Sequence, residues 1–264
     1  YLLGQNMSEN KKLLLSKAIS TKMENRNKDI KKDENGDYPV IVGAVNHFTA
    51  GGELYVAEEV KEKFADNSVL MERCRNDLLE IEDEHPTCEP SMSKAQWFER
   101  LYSYDKSKVA AKITKLWLEE TDECAPGTDL KIILIWASVR PFTDRPKGLL
   151  LKRDLENPDK NVAFSIRSIV YQETFNFTPV CKIKDIITFD WVSSPGISKA
   201  HKYYTAGMLS SVNTRLLADL NIDCDVKEMS TILKGTKGLL SSNIKDSLLK
   251  EVSIKNSSNT LLKW

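Results

Sequence analysis

Net charge, long apolar runs, paired cysteines and histidines are all scarce in this chain of 264 residues. Its 38 Lys+Arg cancel its 38 Asp+Glu, which excludes a uniformly basic nucleic-acid coat and leaves room only for a local basic face. No apolar run approaches the ~18–20 residues of a membrane-spanning helix. The longest, Ile132–Val139, is short and contains Ser138. Leu13-Leu14-Leu15 is too brief for a secretory apolar region, so a soluble, intracellular protein is expected. Tyr1–Asn6, ahead of the first methionine Met7, reads as a leader or cloning remnant and is set aside. Cys74, Cys88, Cys124, Cys181 and Cys224 are odd in number and form no Cys-x-x-Cys pair, which predicts reduced thiols. The Asn-x-Ser/Thr triplets at Asn6, Asn176 and Asn256 then read as chance matches.

Catalytic signatures are missing too. There is no Gly-x-Ser-x-Gly elbow, no His-Glu-x-x-His and no dinucleotide-type glycine run. Gly235-Thr-Lys-Gly238 lacks the spacing of a phosphate loop. Only His47, His85 and His201 are available for acid–base work at neutral pH.

What is present is a change of pattern along the chain. Leu13–Leu15, Ala18, Ile19 and Met23 recur at helical spacing ahead of a charged linker, Glu24–Asp37. Tyr38–Val45 and Glu53–Ala57 read as strands. Met71, Cys74, Leu78 and Ile81 give a stripe for a helix over Glu58–Glu84, a stretch with ten acids and four bases that His85-Pro86 ends. Ser93 and Gln96 form a capping box for a helix carrying Trp97, Phe98 and Leu101. Val109, Ile113, Leu116 and Trp117 suggest another helix, with Lys106, Lys108, Lys112 and Lys115 on its solvated side. From Leu130 the reading turns to strands: Leu130–Val139, Gly148–Arg153, Asn161–Tyr171, a pair around Phe175 and Phe177, and Ile183–Val192. Turns link them, and the long crossovers that parallel pairing needs are not seen, so an antiparallel sheet or sandwich is expected. The run Ala200–Leu220 is ambiguous, with a four-residue step favouring helix, and the lysine-rich tail from Met229 reads as a basic amphipathic helix.

Few residues suggest chemistry. Cys74, His85, Cys88 and Cys124 are four metal-ligand types, but without the tight knuckles of a zinc module; core packing and loop surface explain them better. Asp223-Cys-Asp225 reads as a polar turn. No cofactor or metal is expected. The basic patch of Lys131, Arg140, Arg145, Lys147, Lys152 and Arg153, with Asp144 its only acid, suits phosphate contact that neutralises a backbone without reading bases. Phe142, Phe164, Phe175 and Phe177 lie near it, where their alternation favours core burial over base stacking.

In this strand block the sequence resembles the thirty-kilodalton superfamily of plant-virus movement proteins. Lys131-Ile-Ile-Leu-Ile-Trp136 matches its apolar strand ending near an aromatic, and Arg145-Pro-Lys-Gly148 its turn. Leu149-Leu-Leu-Lys-Arg-Asp154 matches its strand leading to an aspartate, and Phe175-Asn-Phe-Thr-Pro179 with Ile183–Trp191 its later strands. The resemblance covers about a third of the chain and departs from the family in Lys152-Arg153, where an apolar pair is usual. It implies an α+β fold: an antiparallel, jelly-roll-like β-sandwich core (residues 38–225, with a helical insertion at 58–120) between a helical N-terminal extension (1–37) and a basic C-terminal tail (226–264). It also implies a non-enzymatic protein that binds single-stranded RNA without sequence preference and carries it through plasmodesmata. Its partners would be host plasmodesmal or endoplasmic-reticulum components, a membrane surface touched peripherally, and further copies of itself. Host cytoplasm and plasmodesmata would be its location. Asp154 and Gly148 would then be structural, Asp154 tying down the turn after its strand. The competing readings are a matrix-type structural protein of a negative-strand RNA virus, a cellular interaction module, and an enzyme of unrecognised chemistry.

Overall fold

The computed structural model describes residues 12–15, 30–175, 178–193 and 195–202. The expectations for a first helix beyond Leu15, the Ala200–Leu220 run beyond Lys202, the Asp223–Asp225 turn, the Gly235–Gly238 loop and the basic tail lie outside these residues.

Two sheets form the body. Strands β1 (Lys12–Leu15), β2 (Tyr38–Val45), β3 (His47–Phe48) and β4 (Leu54–Val56) precede two short helices, α1 (Val60–Lys63) and α2 (Val69–Arg75). Then follow β5 (Glu80–Glu82), α3 (Lys94–Tyr102), β6 (Val109–Cys124), β7 (Lys131–Pro141), α4 (Pro146–Glu156), β8 (Ala163–Phe175) and β9 (Thr178–Val192). One sheet has the order β1-β8-β9-β4-β3, the other β2-β7-β6-β5. The described residues are thus mostly β, with two sheets and few helices, and the second sheet is antiparallel throughout. The first is mixed, because β4 pairs parallel with β9. The stretch between β4 and β9 supplies the crossover, a connection invisible when only neighbouring strands are compared.

The sheets face each other over a core that includes Ile41, Leu134, Ile135, Phe164 and Phe189. They pack tightly at Gly43, where a Cβ would stand 2.6 Å from Ile166 Cδ1. On one side they are also joined through the backbone. Past β5 the chain runs beside the end of β9, with Asp83 bridged to Trp191 in parallel and the Glu84 N–H donating to the Trp191 carbonyl at 2.7 Å.

Four helix or strand expectations are corrected. Lys12–Leu15 is a strand paired with Ile169–Gln172 of β8. The expected helix 58–84 is two short helices followed by β5, with Leu79 just before the strand and Ile81 within it fully buried. Val109–Trp117 is strand β6, and its apparent helical step comes from a register shift between Ile113 and Lys115. The extra residue, Thr114, resets the alternation, and its hydroxyl donates to Asp37 Oδ2 at 2.6 Å.

Gly148–Arg153 is not a strand; it lies within helix α4, which Pro146 opens at its first turn. Gly148, Leu151, Asp154 and Leu155 are buried at three- and four-residue steps. Lys202, itself buried, caps the other end: its ammonium donates to the carbonyls of Asp154, Leu155 and Asn157 at 2.8, 3.3 and 2.5 Å. The capping box of Ser93 and Gln96 is present at α3, whose Trp97, Phe98 and Leu101 are buried. Among the described residues no helix is long and apolar enough to cross a membrane.

The segment that returns along the start of β8 carries a pH-sensitive group. His201 is bridged to Ala163, and burial, helped by the nearby Lys199 charge, pushes its pKa down to about 4. Because the folded value lies below the unfolded one near 6.5, the unfolded chain binds the proton first. The stability is therefore present above pH 6.5 and lost as pH falls towards 4. Between pH 7 and pH 5 the loss from this residue is about 2 kcal/mol. Urea unfolding of wild type and His201→Leu at both pH values should show a smaller acid loss in the variant. An equal loss removes His201 from the account.

Candidate active site

The continuation of β5 brings a histidine to the end of β9. Glu84 has φ +65°, a left-handed conformation that a side-chain-bearing residue adopts at a cost of ~1 kcal/mol or more. It is held there from both sides, by the Trp191 carbonyl and by Ser193, whose N–H (2.8 Å) and hydroxyl both donate to Glu84 Oε1. His85, next in the chain, is thereby set against Asp190, with Nδ1 2.6 Å from Asp190 Oδ2. Since a carboxylate only accepts, Nδ1 donates. In the neutral ring that leaves Nε2 with its lone pair, and Nε2 is buried with no hydrogen-bond partner among the described residues.

Asp190 is fully buried and faces a serine. In the β8–β9 ladder Ser165 lies directly opposite Asp190, and Arg167 opposite Thr188. Directly opposed residues share a face with their Cα atoms ~4.5–5.5 Å apart, so Ser165, Arg167 and Asp190 stand together on the face that also meets His85. Burial alone pushes the Asp190 carboxyl up, but the Arg167 charge and hydrogen bonds from His85 and Arg167 outweigh it, and the pKa is lowered. The other nearby serines have different settings. Ser168 is one position out of phase, on the core side opposite Ile186. Ser193 is committed to Glu84.

The residues singled out for nucleic-acid binding are spread over several elements and matched by acids from elsewhere in the chain. Lys131 lies 3.7 and 3.8 Å from Glu120 and Asp122, and Arg140 pairs with Asp37 at 2.6 Å. Arg145 sits over the Phe142 ring at 4.2 Å and 3.7 Å from Glu80. Lys147 meets Asp83 at 2.5 Å, and Arg153 lies 3.6 Å from Asp154. Lys152 is half-buried on α4, near enough to Glu156 to lower its pKa after Tyr38 and Lys32 have done so more strongly. A window with a single acid in sequence is a chain of ion pairs in space. Asp154 does not end a strand; it is buried on α4 and pairs with Lys160 at 2.5 Å.

The metal alternative finds no cluster: among the described residues no group of three or more His, Cys, Asp or Glu is placed to hold an ion. Burial raises the Cys74 thiol to about 11, and the four described cysteines are free thiols.

Sequence reasoning missed Ser165, Arg167 and Asp190, and it named His85 only as one of three acid–base candidates and as a metal-ligand type. The one local signal was polar residues (Ser165, Arg167, Thr188, Asp190) at alternate positions on strands otherwise rich in Ile and Phe. Such residues inside a buried face require partners.

A buried aspartate, a histidine oriented by it and a serine on the adjoining strand make up the side-chain set of a hydrolase with a nucleophilic hydroxyl. The family comparison agrees in class: the model of the Peptidase S80 family matches residues 17–256, and the chain belongs to that family. No curated protein and no solved structure matches it. Membership overturns four linked expectations: the resemblance to movement proteins, the transport of RNA through plasmodesmata, the RNA-binding role and the absence of enzymatic activity. The movement-protein match rested on short motifs, one of which, Leu149–Asp154, is not a strand but part of helix α4.

Proposed function

We propose that the protein is a serine peptidase in which Ser165 is the nucleophile, His85 the general base and acid, and Asp190 the residue that orients His85. The observation that carries this reading is the 2.6 Å bond from His85 Nδ1 to buried Asp190, which lies directly opposite Ser165 in the β8–β9 ladder, with Nε2 unpartnered among the described residues. Ser165 Oγ attacks the carbonyl carbon of the scissile peptide bond while its proton passes to Nε2. The imidazolium so formed is stabilised by Asp190, and it returns the proton to the leaving amine as the C–N bond breaks. Water then hydrolyses the acyl-enzyme by the same route, releasing the acid and restoring Ser165. Ser165 and His85 are not hydrogen-bonded in the unliganded site; catalytic contacts of this kind commonly close only when substrate is bound.

The test is covalent labelling with an alkyl fluorophosphonate, whose phosphorus bonds to the oxygen of an activated serine as fluoride leaves, followed by peptide mapping. Label on Ser165, absent from Ser165→Ala and retained in Ser168→Ala, is the expected outcome. Label on Ser193 or Ser168 instead, or equal labelling of Ser165→Ala, defeats the assignment.

A further inference from the structure

We infer that Arg167 is a positioning residue for this reaction: its guanidinium grips both oxygens of Asp190 and so fixes the acceptor that aims His85. The inference rests on the reading of Ser165, His85 and Asp190 given above.

Arg167 is 0% exposed, and all of its N–H donors have acceptors. Nε donates to Asp190 Oδ2 at 2.8 Å and Nη2 to Asp190 Oδ1 at 2.5 Å. Nη2 also donates to Glu82 Oε2, and Nη1 to the carbonyls of Leu101 and Ser103 at 3.2 Å each. A planar fork on a planar carboxylate leaves the carboxylate little freedom to rotate. The same oxygen, Oδ2, takes both the Arg167 Nε–H and the His85 Nδ1–H. Any turn of Asp190 would therefore swing the imidazole, and with it Nε2. The two α3-end carbonyls in turn tie the guanidinium to the helix that covers this face.

Glu82 completes the device. A guanidinium buried with one carboxylate would match it in charge, but here it lies between two, and Glu82 is shared with Arg100 through contacts of 3.0 to 3.2 Å. The chain Arg100–Glu82–Arg167–Asp190 alternates in sign along its length. Around Asp190 the charged and titratable groups are His85 beyond β5, Glu82 on β5, Arg167 on β8, Arg100 on α3 and Tyr104 just after it, whose ring lies 5.7 Å from the guanidinium carbon. A merely structural ion pair would not need an oxygen shared with the histidine.

The experiment measures the second-order rate of fluorophosphonate labelling from pH 5 to pH 9 in the full-length protein. Two variants are compared with wild type and with Ser165→Ala. Glu82→Gln/Arg167→Met removes opposite charges together, so the buried balance is kept. Arg167→Lys keeps the charge but replaces the fork by a single-point donor. The double variant is expected to fold, to label roughly 10–100-fold more slowly, the scale on which outer-shell partners act, and to lose activity at higher pH as acid is added. The sign follows from Asp190: burial raises its carboxyl, the Arg167 charge lowers it, and without Arg167 the proton is taken up earlier. Arg167→Lys should label more slowly with its acid limb little moved. If either variant is folded by circular dichroism and labels at the wild-type rate with an unchanged pH profile, Arg167 holds the fold and nothing more. Labelling of Ser165→Ala would instead remove the site itself, a failure distinct from that of the positioning role.

Discussion

Replacing His85 by Gln is expected to slow fluorophosphonate labelling of Ser165 by roughly 10⁶-fold, the scale on which loss of a triad histidine acts. Glutamine can still donate an N–H to Asp190 but has no basic nitrogen to take the serine proton. Two features keep the effect on the fold small. The histidine side chain is 12% exposed, and its one described hydrogen bond is the one to Asp190 that the amide can replace. A second signature should accompany the loss. The pH dependence of labelling that a general base imposes should flatten in the variant. A His85→Gln protein that labels within a few-fold of wild type would show that Ser165 is activated by another group or not at all. Asp190→Asn is a poorer probe, because it also strips a buried carboxylate from Arg167, and breaking a buried pair costs ~3–5 kcal/mol by itself.

Gly148→Ala is expected to destabilise the protein by about 1–3 kcal/mol, the usual scale of overpacking, against the sign that helix propensity gives. On an exposed helix the change would stabilise by ~1 kcal/mol, since alanine is the better helix former. Here a Cβ would lie 1.9 Å from the Phe142 carbonyl oxygen and 2.7 Å from that of Ala110. Those atoms belong to backbone that cannot rotate away, so α4 would have to lift from the ends of β6 and β7. Gly127→Ala is the informative comparison. Gly127 has φ +73° and nothing within 4 Å of its would-be Cβ, so only the left-handed conformation is penalised, by ~1 kcal/mol. Urea unfolding of both variants separates contact from conformation. A Gly148→Ala protein as stable as wild type would mean that the helix does not sit this close to the strands.

The fate of individual elements shows what could be read from the chain. Val162–Val170 alternates, and the strand formed; Ser93 and Gln96 cap a helix, and the capping box is there. Both signals are local, complete within a few residues and reinforced by burial. The Leu149-Leu-Leu run failed because three successive apolar residues fit a strand as well as a helix. The deciding facts, Pro146 at the first turn and the burial of Gly148, Leu151 and Leu155, span a longer window. In β6 a single inserted residue, Thr114, broke the period of two and made a strand resemble a helix.

The candidate site was beyond local reading for a different reason. Its members come from the end of β5, the start of β8 and the end of β9, and each has an ordinary neighbourhood in sequence. The amino-acid order by itself determined the strand-forming periodicity, the helix cap, the balance of charge and the lack of long apolar runs, because these depend on residues close together in the chain. Only the tertiary structure decided which charges cancel and which serine lies opposite the aspartate that holds His85. Hydrogen bonds and ion pairs act over a few ångströms in space, and here their partners are separated by scores of residues: 80 between His85 and Ser165, and 105 between His85 and Asp190.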